Sequence, residues 1–186
     1  MPELPYEIWK DRIENELTNI KKLKVLEENT VLKGESSVEF TININALGLI
    51  KNKGELIPQR SHRIFLKINR SFPYPGGIDF SWITHIFHPN IHPVQIPQGN
   101  PGTGYICLNV LKKWSRLSDL ETTAKALKNL VENPNPDDPL NYPICLEAAE
   151  LFRNKTMSEI KEGLNIAEEQ IEEKEEEEED VLIIDD

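Results

Sequence analysis

The stretch Val38-Glu39-Phe40-Thr41-Ile42-Asn43-Ile44 alternates apolar and polar side chains, which is the pattern of a β-strand with one buried face. The same alternation returns at residues 64–68 and 78–82, and more weakly at 25–32. The intervening segments carry turn-forming residues, at 34–36, 51–61 and 70–77. The sequence therefore predicts a four-stranded antiparallel meander.

Helical spacing is found on both sides of these strands. Before them, apolar residues recur at three- and four-residue steps from Tyr6 to Ile20, and lysines near the far end suit the helix dipole. After them, the same spacing runs from Leu117 to Val131, where Ser118 and Glu121 match the capping-box pattern. We predict one helix before the sheet and one after it.

Two further helices are predicted toward the end of the chain. One starts at about Tyr142, after a proline-rich turn at 133–139, and buries a stripe that includes Cys145 and Phe152. The next covers 157–172, and Thr156 and Glu159 can cap its first turn. Helix, strands and then helices give an α+β fold in which helices cover one face of the sheet.

Residues 83–106 interrupt the regular pattern with four prolines and three glycines, too many for a continuous helix or strand. A long loop is therefore predicted. Ordered loops of this length are uncommon in compact domains and usually carry function. This loop is the first candidate location for an active site.

The charge of the chain excludes one class of function. The net charge is −11, and residues 168–186 account for all of it because the rest of the chain is balanced. General nucleic-acid binders need clustered lysines and arginines, so no nucleic-acid partner is expected.

The cysteine count and the hydropathy pattern bear on location. Two cysteines, Cys107 and Cys145, lie far apart without metal-binding spacing, so neither a disulfide framework nor a zinc ribbon is indicated. No stretch has the roughly 20 consecutive apolar residues that a membrane span needs. We expect a cytoplasmic protein that makes no use of a membrane.

Two motifs carry the chemistry: Phe87-His88-Pro89-Asn90, and Gly104-Tyr105-Ile106-Cys107 followed by Trp114-Ser115. Together with the turn at 133–141 and the segment Phe72-Pro73-Tyr74-Pro75, they resemble the core of ubiquitin-conjugating enzymes over roughly residues 4–156. The resemblance implies a ubiquitin-conjugating-type fold with a catalytic domain at 1–156, a C-terminal helix at 157–172 and an acidic tail at 173–186.

The resemblance also implies the activity. Such an enzyme accepts ubiquitin or a ubiquitin-like modifier from an activating enzyme as a thioester on Cys107 and passes it to a substrate lysine, with the help of a ligase. No cofactor is implied, since ATP is used by the activating enzyme. A thiolate suits this task because it both attacks a thioester and leaves when an amine attacks. The plain alternative is that Cys107 is a small buried side chain.

Four further residues receive roles from the resemblance. Asn90 either donates a hydrogen bond to the oxyanion of the transfer step or holds the active-site loop, and it could also simply cap the turn after Pro89. Asp138 orients the incoming amine, unless it is an ordinary turn residue before Pro139. His88 and Pro89 are assigned to the loop scaffold.

Other chemistries compete for the same residues. His85, His88 and His92 could join Cys107 around zinc, although Pro89 and Pro93 prevent the helix that would align them. A Cys107–His88 hydrolase would release acyl groups to water, and a binding module of the same fold would lack catalysis. We predict that no metal is bound.

Partner contacts are also implied. Tyr74 and Trp114, Ser115, Arg116 and Leu117 occupy places where relatives contact RING-type ligases, although the triplet after Trp114 lacks a proline common there. Lys10, Arg12, Lys21 and Lys22 on the first helix are candidate contacts for an activating enzyme, or simply an ordinary solvated face. The Ile91–Thr103 stretch makes the connection from Asn90 to Cys107 longer than in most relatives.

The acidic tail ends in an apolar run, Val181, Leu182, Ile183 and Ile184. We expect the acidic part to be flexible because its charges repel one another. The apolar run resembles segments that add a strand to the sheet edge of a ubiquitin-like modifier. It could equally dock on its own domain.

Overall fold

The computed structural model describes residues 3–74, 76–97, 99–107 and 119–164. Within them the chain forms helix α1 (Tyr6–Lys22), a four-stranded sheet, a short two-stranded sheet and three later helices. The later helices are α2 (Leu120–Glu132), α3 (Pro143–Asn154) and α4 (Met157–Gly163). The predicted α+β fold is confirmed.

The main sheet is an antiparallel meander in the order β1-β2-β3-β4. Its strands are β1 (Leu26–Lys33), β2 (Ser37–Asn52), β3 (Glu55–Asn69) and β4 (Ile78–Trp82). Phe40 lies opposite Leu66, which in turn lies opposite Phe80, so apolar residues run across three strands. The alternation read from the sequence thus places one face of the sheet in the core.

The prediction that 51–61 is a turn segment is wrong. Strands β2 and β3 continue to Asn52 and from Glu55, which pair with each other across the two-residue turn Lys53-Gly54. Both turn residues have positive φ, 49° for Lys53 and 89° for Gly54, as tight hairpin turns of the type I′ class require. A bulge between Asn45 and Gly48 shifts the register and hides the alternation in the sequence.

The prediction of an irregular loop at 83–106 is also partly wrong. It contains strand β5 (Ile91–His92), which pairs with strand β6 (Tyr105–Ile106). The chain between them is bound to the end of β4, since Val94 N–H donates to Trp82 O at 2.8 Å. Short pairings of this kind leave too little sequence to show a pattern.

Helix α1 is amphipathic as predicted, and it buries Trp9, Ile13, Leu17 and Ile20. The predicted start of α2 is corrected. Its N-cap is Asp119, whose carboxylate accepts a hydrogen bond from Thr122 N–H at 2.6 Å. Glu121 pairs with Lys125 instead of closing a capping box, and Ser118 lies outside the described residues.

The helices toward the end of the chain follow the prediction in their described parts. Helix α3 buries Cys145, Ala148, Ala149 and Phe152. Helix α4 begins with the predicted capping box of Thr156 and Glu159 and ends at Gly163, and residues 165–172 of the predicted helix lie outside the described residues. Within the described ranges, no helix is long and apolar enough to cross a bilayer.

The apolar interior falls into two clusters. The main core joins α1 and α2 to the sheet and includes Trp9, Phe40, Leu66, Trp82 and Leu127. A smaller cluster joins the far end of the β2–β3 hairpin to α3 and α4; its members are Leu49, Phe87, Ala148, Phe152 and Ile160. The segment that holds His88 and Asn90 follows Phe87, at the edge of this second cluster.

Candidate active site

His88 fixes the start of the site. It is fully buried; its Nε2 lies 3.0 Å from Leu130 O, and its Nδ1 accepts a hydrogen bond from Asn90 N–H at 3.0 Å. Because Nδ1 accepts, the ring proton sits on Nε2 and is donated to Leu130 O. Burial lowers the pKa of His88 to about 3, so the ring is neutral at ordinary pH. Both nitrogens are engaged, which leaves neither to activate Cys107 as a hydrolase would require.

Asn90 links this segment to the turn before α3. The side chain is 1% exposed, and its Nδ2 donates to Asn135 O at 2.9 Å and to Asp138 O at 3.0 Å. Its Oδ1 accepts from Asn135 N–H at 2.8 Å. Pro89 adds a backbone bond to the same turn, since its carbonyl accepts from Leu140 N–H at 2.9 Å. The turn is therefore held against residues 89–90 along its length.

Cys107 directly follows β6 and is placed by the same segment. Its N–H donates to Asn90 O at 2.8 Å, next to the pairing of Ile91 with Ile106. The side chain is partly exposed. Its Sγ lies 3.9 Å from Asp138 Oδ2, and the Asp138 side chain is exposed. A reachable thiol thus faces a carboxylate brought from 31 residues further along the chain.

The geometry bears on the two roles that the resemblance left open for Asn90. Both hydrogens of its amide are directed at carbonyl oxygens of the turn, Asn135 O and Asp138 O. In this arrangement the amide holds the turn and is not aimed at Cys107. The loop-holding role therefore has direct geometric support.

Cys145 provides an internal contrast. It is fully buried in α3, and its thiol donates to Ile91 O at 3.3 Å. Burial raises the pKa of Cys145 to about 12, which suppresses the reactive thiolate. Of the two cysteines, Cys107 is the one placed for chemistry.

The histidines considered as metal ligands have separate environments. His88 is engaged as described, while His92 Nδ1 bonds to Thr103 and the His92 ring stacks on Tyr142. Among the described residues, no group of three His, Cys, Asp or Glu side chains could hold a metal ion.

The predicted partner surfaces are described only in part. Tyr74 is partly buried beside α1, whereas Trp114, Ser115, Arg116 and Leu117 lie outside the described residues, as do Val181, Leu182, Ile183 and Ile184 of the tail.

The basic residues of α1 differ in their availability. Arg12 pairs with Glu16 at 3.3 Å and lies 5.3 Å from the centre of the Phe72 ring, and Lys21 pairs with Glu28 at 2.7 Å. Lys10 and Lys22 are exposed.

Sequence reasoning missed three residues of this region: Asn135, Thr103 and Tyr142. Asn135 is bonded to Asn90 at both its N–H and its carbonyl group. The available signal was its position between Pro134 and Pro136, where prolines restrict the backbone and favour a fixed turn. The sequence gives no comparable signal for Thr103 and Tyr142.

Known proteins resemble this chain in sequence and in fold. A family model described as "Ubiquitin-conjugating enzyme" matches residues 12–164. The probable ubiquitin-conjugating enzyme E2 31 of Arabidopsis thaliana is 38% identical over 90 residues, which are 48% of this chain and 49% of that protein. Protein PEROXIN-4 of the same plant is 41% identical over 71 residues, which are 37% of this chain and 40% of that protein.

A solved structure shares the fold. The E2 domain of a Toxoplasma gondii ubiquitin-conjugating enzyme matches with a TM-score of 0.54 and 24% identity, over 78% of this chain and 87% of that one. The chain spans about half the length, or less, of the curated relatives it matches. Because the family model covers most of the sequence, from the second turn of α1 to the end of α4, the chain belongs to the ubiquitin-conjugating enzyme family.

Proposed function

We propose that this chain accepts ubiquitin or a ubiquitin-like modifier from an activating enzyme as a thioester on Cys107 and transfers it to a lysine amine. The observation that carries the proposal is the partly exposed Cys107 thiol, with the Asp138 carboxylate 3.9 Å away on a turn anchored by Asn90. The activating enzyme spends ATP, and the transfer uses no cofactor on this chain.

The reaction has two steps. In the first, the Cys107 thiolate attacks the thioester carbonyl on the activating enzyme; a new C–S bond forms, the old one breaks, and the donor thiolate leaves. In the second, a neutral lysine amine attacks the same carbonyl, the C–N bond forms, and the Cys107 thiolate departs. The nitrogen loses one proton to solvent.

Asp138 serves the second step in this proposal. A carboxylate beside the sulfur can accept a hydrogen bond from the incoming amine and aim its lone pair at the carbonyl. Asp137 offers a matched comparison because it is the adjacent exposed aspartate in the same turn. We expect Asp138→Asn to slow discharge to free lysine by about tenfold or more, whereas Asp137→Asn stays within about threefold of the unaltered chain.

The first test is thioester formation. The chain is incubated with activating enzyme, ATP and modifier, and the products are separated with and without a reducing agent. We expect an adduct that the reducing agent removes, no adduct with Cys107→Ala, and a slower, reductant-resistant ester with Cys107→Ser. An adduct that survives in Cys107→Ala and disappears in Cys145→Ala would overturn the assignment.

The proposal also covers the surfaces that contact the ligase and the activating enzyme. A RING-type ligase would use Tyr74 and residues 114–117, and the protein would act in the cytoplasm. For the activating enzyme we favour Lys10 and Lys22, because Arg12 and Lys21 already pair with acids of this chain. Reversing the side-chain charge at both Lys10 and Lys22 should slow formation of the Cys107 thioester and leave the rate of its later transfer to lysine unchanged. If the variant formed the thioester as fast as the unaltered chain, these residues would not belong to the interface with the activating enzyme.

The tail is proposed to hold a modifier through residues 181–184, which would raise its local concentration near Cys107. Binding of free modifier is titrated with the full chain and with a chain lacking 172–186. Equal affinities would exclude this role and leave a solubilising tail.

A further inference from the structure

Residues 89–92 lie between two arms of the chain that meet at the reactive sulfur. One arm is residues 103–107, which pairs with Asn90, Ile91 and His92 and ends at Cys107. The other is residues 135–142, which carries Asp138 and is bound to Pro89 and Asn90. The distance between the Cys107 sulfur and the Asp138 carboxylate depends on how both arms attach to this central segment.

His92 is attached to the first arm by its Nδ1. Thr103 N–H donates to Nδ1 at 3.2 Å, which fixes Nδ1 as an acceptor and places the ring proton on Nε2. The Thr103 hydroxyl lies 2.8 Å from the same nitrogen and donates to it, while its oxygen accepts from Tyr105 N–H at 3.2 Å. The side chain of His92 thus orders the backbone that leads into β6 and Cys107.

The neutral ring suits this arrangement. Residue His92 is 8% exposed, and burial lowers the pKa of the ring. A neutral imidazole keeps the Nδ1 lone pair available for both donors from Thr103.

His92 is attached to the second arm by stacking. Its ring lies parallel to that of Tyr142, with centroids 3.7 Å apart and an interplanar angle of 2°. Tyr142 ends the arm immediately before α3, and its N–H donates to Leu140 O at 2.8 Å. Leu140 in turn donates to Pro89 O at 2.9 Å. The stacked pair is therefore the last of several attachments that fix the arm of Asp138.

We propose that His92 is a positioning residue that joins the Thr103–Cys107 arm to the Asp138–Tyr142 arm and so sets the placement of the carboxylate beside the sulfur. The proposal rests on the proposed function, since it concerns the transfer from Cys107 to an amine. It gives the Ile91–Thr103 stretch a defined task, because Thr103 at its end supplies both donors to His92.

Two matched pairs of variants test the contacts separately. His92→Leu removes both the acceptor and the stacked ring, whereas His92→Asn removes the ring but keeps an acceptor oxygen near the position of Nδ1. Tyr142→Leu removes the stacked ring, whereas Tyr142→Phe keeps it. Each variant is loaded with modifier on Cys107, and the activating enzyme is then inhibited. Transfer of the modifier to free lysine is followed over a range of lysine concentrations.

We expect the maximal discharge rate to fall about tenfold or more in His92→Leu and in Tyr142→Leu, since small misplacements of reacting groups are costly. The lysine concentration for half-maximal rate should change little. Tyr142→Phe should retain a rate within about threefold of the unaltered chain, whereas His92→Asn, which keeps the acceptor but loses the stacked ring, should fall about as far as Tyr142→Leu. Loss of folded protein would lower the amount of thioester and not the rate constant of its discharge.

Amide hydrogen exchange supplies a readout that needs no modifier. Cys107 N–H and Leu140 N–H report on the two arms, because both donate to the central segment. We expect His92→Leu to lose protection at both amides, and His92→Asn to retain it at Cys107 and lose it at Leu140, because asparagine keeps an acceptor for Thr103 but has no ring to stack on Tyr142. If the unaltered chain formed no thioester, the proposed function would fail, and these two amides would still decide whether His92 joins the arms.

Two results would overturn the proposal. One is a discharge rate and an exchange pattern in His92→Leu equal to those of the unaltered chain. The other is an equal loss of protection at Cys107 N–H in His92→Leu and His92→Asn, which would show that the acceptor for Thr103 is irrelevant.

Discussion

Replacement of Asn90 by alanine should cost stability as well as activity. The amide makes three hydrogen bonds to the turn, at 2.9 Å and 3.0 Å from Nδ2 and at 2.8 Å to Oδ1, and the residue is 1% exposed. Each buried bond contributes about 1 kcal/mol net, so Asn90→Ala should lower the free energy of unfolding by about 2–4 kcal/mol. For a chain of this size, that corresponds to a fall of roughly 5–15 °C in Tm.

The measurement is urea-induced unfolding of Asn90→Ala alongside Asn141→Ala. Asn141 is exposed, lies in the arm 135–142 to which Asn90 bonds, and makes no side-chain hydrogen bond within the described residues. Its replacement should change the free energy of unfolding by less than about 0.5 kcal/mol. Discharge of the Cys107 thioester to lysine is measured on the same preparations.

The alternative role for Asn90 gives a different pair of results. A residue that only donates to the oxyanion would slow the chemical step by roughly 100-fold to 1000-fold and leave stability unchanged. If Asn90→Ala unfolded like the unaltered chain and yet discharged that slowly, the loop-holding argument would be refuted. Loss of stability together with slower discharge is the expected result.

Three other perturbations follow from the structure. His88 is neutral in the folded protein, with its pKa lowered to about 3, whereas in the unfolded chain it binds a proton below its ordinary pKa of 6.5. Lowering the pH from 7 to 5 should therefore reduce the free energy of unfolding by about 2 kcal/mol in unfolding titrations, and a flat profile would contradict this. In the native protein, iodoacetamide should label Cys107, and Cys145, whose pKa is raised to about 12, should react only after unfolding; peptide mass spectrometry would expose the reverse order. Gly104→Ala should lower the free energy of unfolding by about 1–3 kcal/mol in thermal melts, because φ at Gly104 is 75° and a Cβ there would overlap the Ser81 hydroxyl. An unchanged Tm would show that the backbone at β6 adjusts to the added Cβ without cost.

The sequence predicted the centres of the strands better than their ends. The alternation of Phe40, Ile42 and Ile44 has a physical cause, because one face of β2 meets the core and the other does not. From Ala46 to Leu49 all four residues are buried, so the alternation disappears although the strand continues. The bulge between Asn45 and Gly48 removes the signal, together with packing in two directions, since Ala46 joins the main core and Leu49 joins the smaller cluster; spacing alone cannot anticipate those contacts.

The residues of the candidate site were likewise easier to predict than the contacts between them. The identities of Cys107, Asn90 and Asp138 followed from motifs, but their meeting depends on a turn 31 residues beyond Cys107 and on hydrogen bonds made by Asn135. His92 was considered only as a metal ligand because three histidines lie close together in sequence. Sequence proximity does not report the direction of a side chain, and the pairing of β5 with β6 gives His92 a separate environment from His88.

The separation of the interior into two clusters has a consequence for heat inactivation. The smaller cluster contains Phe152 of α3 and Ile160 of α4, and α3 directly follows the arm that carries Asp138. A cooperative unit with few buried side chains opens at lower free energy than the main core. On warming, we expect the transfer rate to decline several degrees before circular dichroism records global melting, and to recover on cooling.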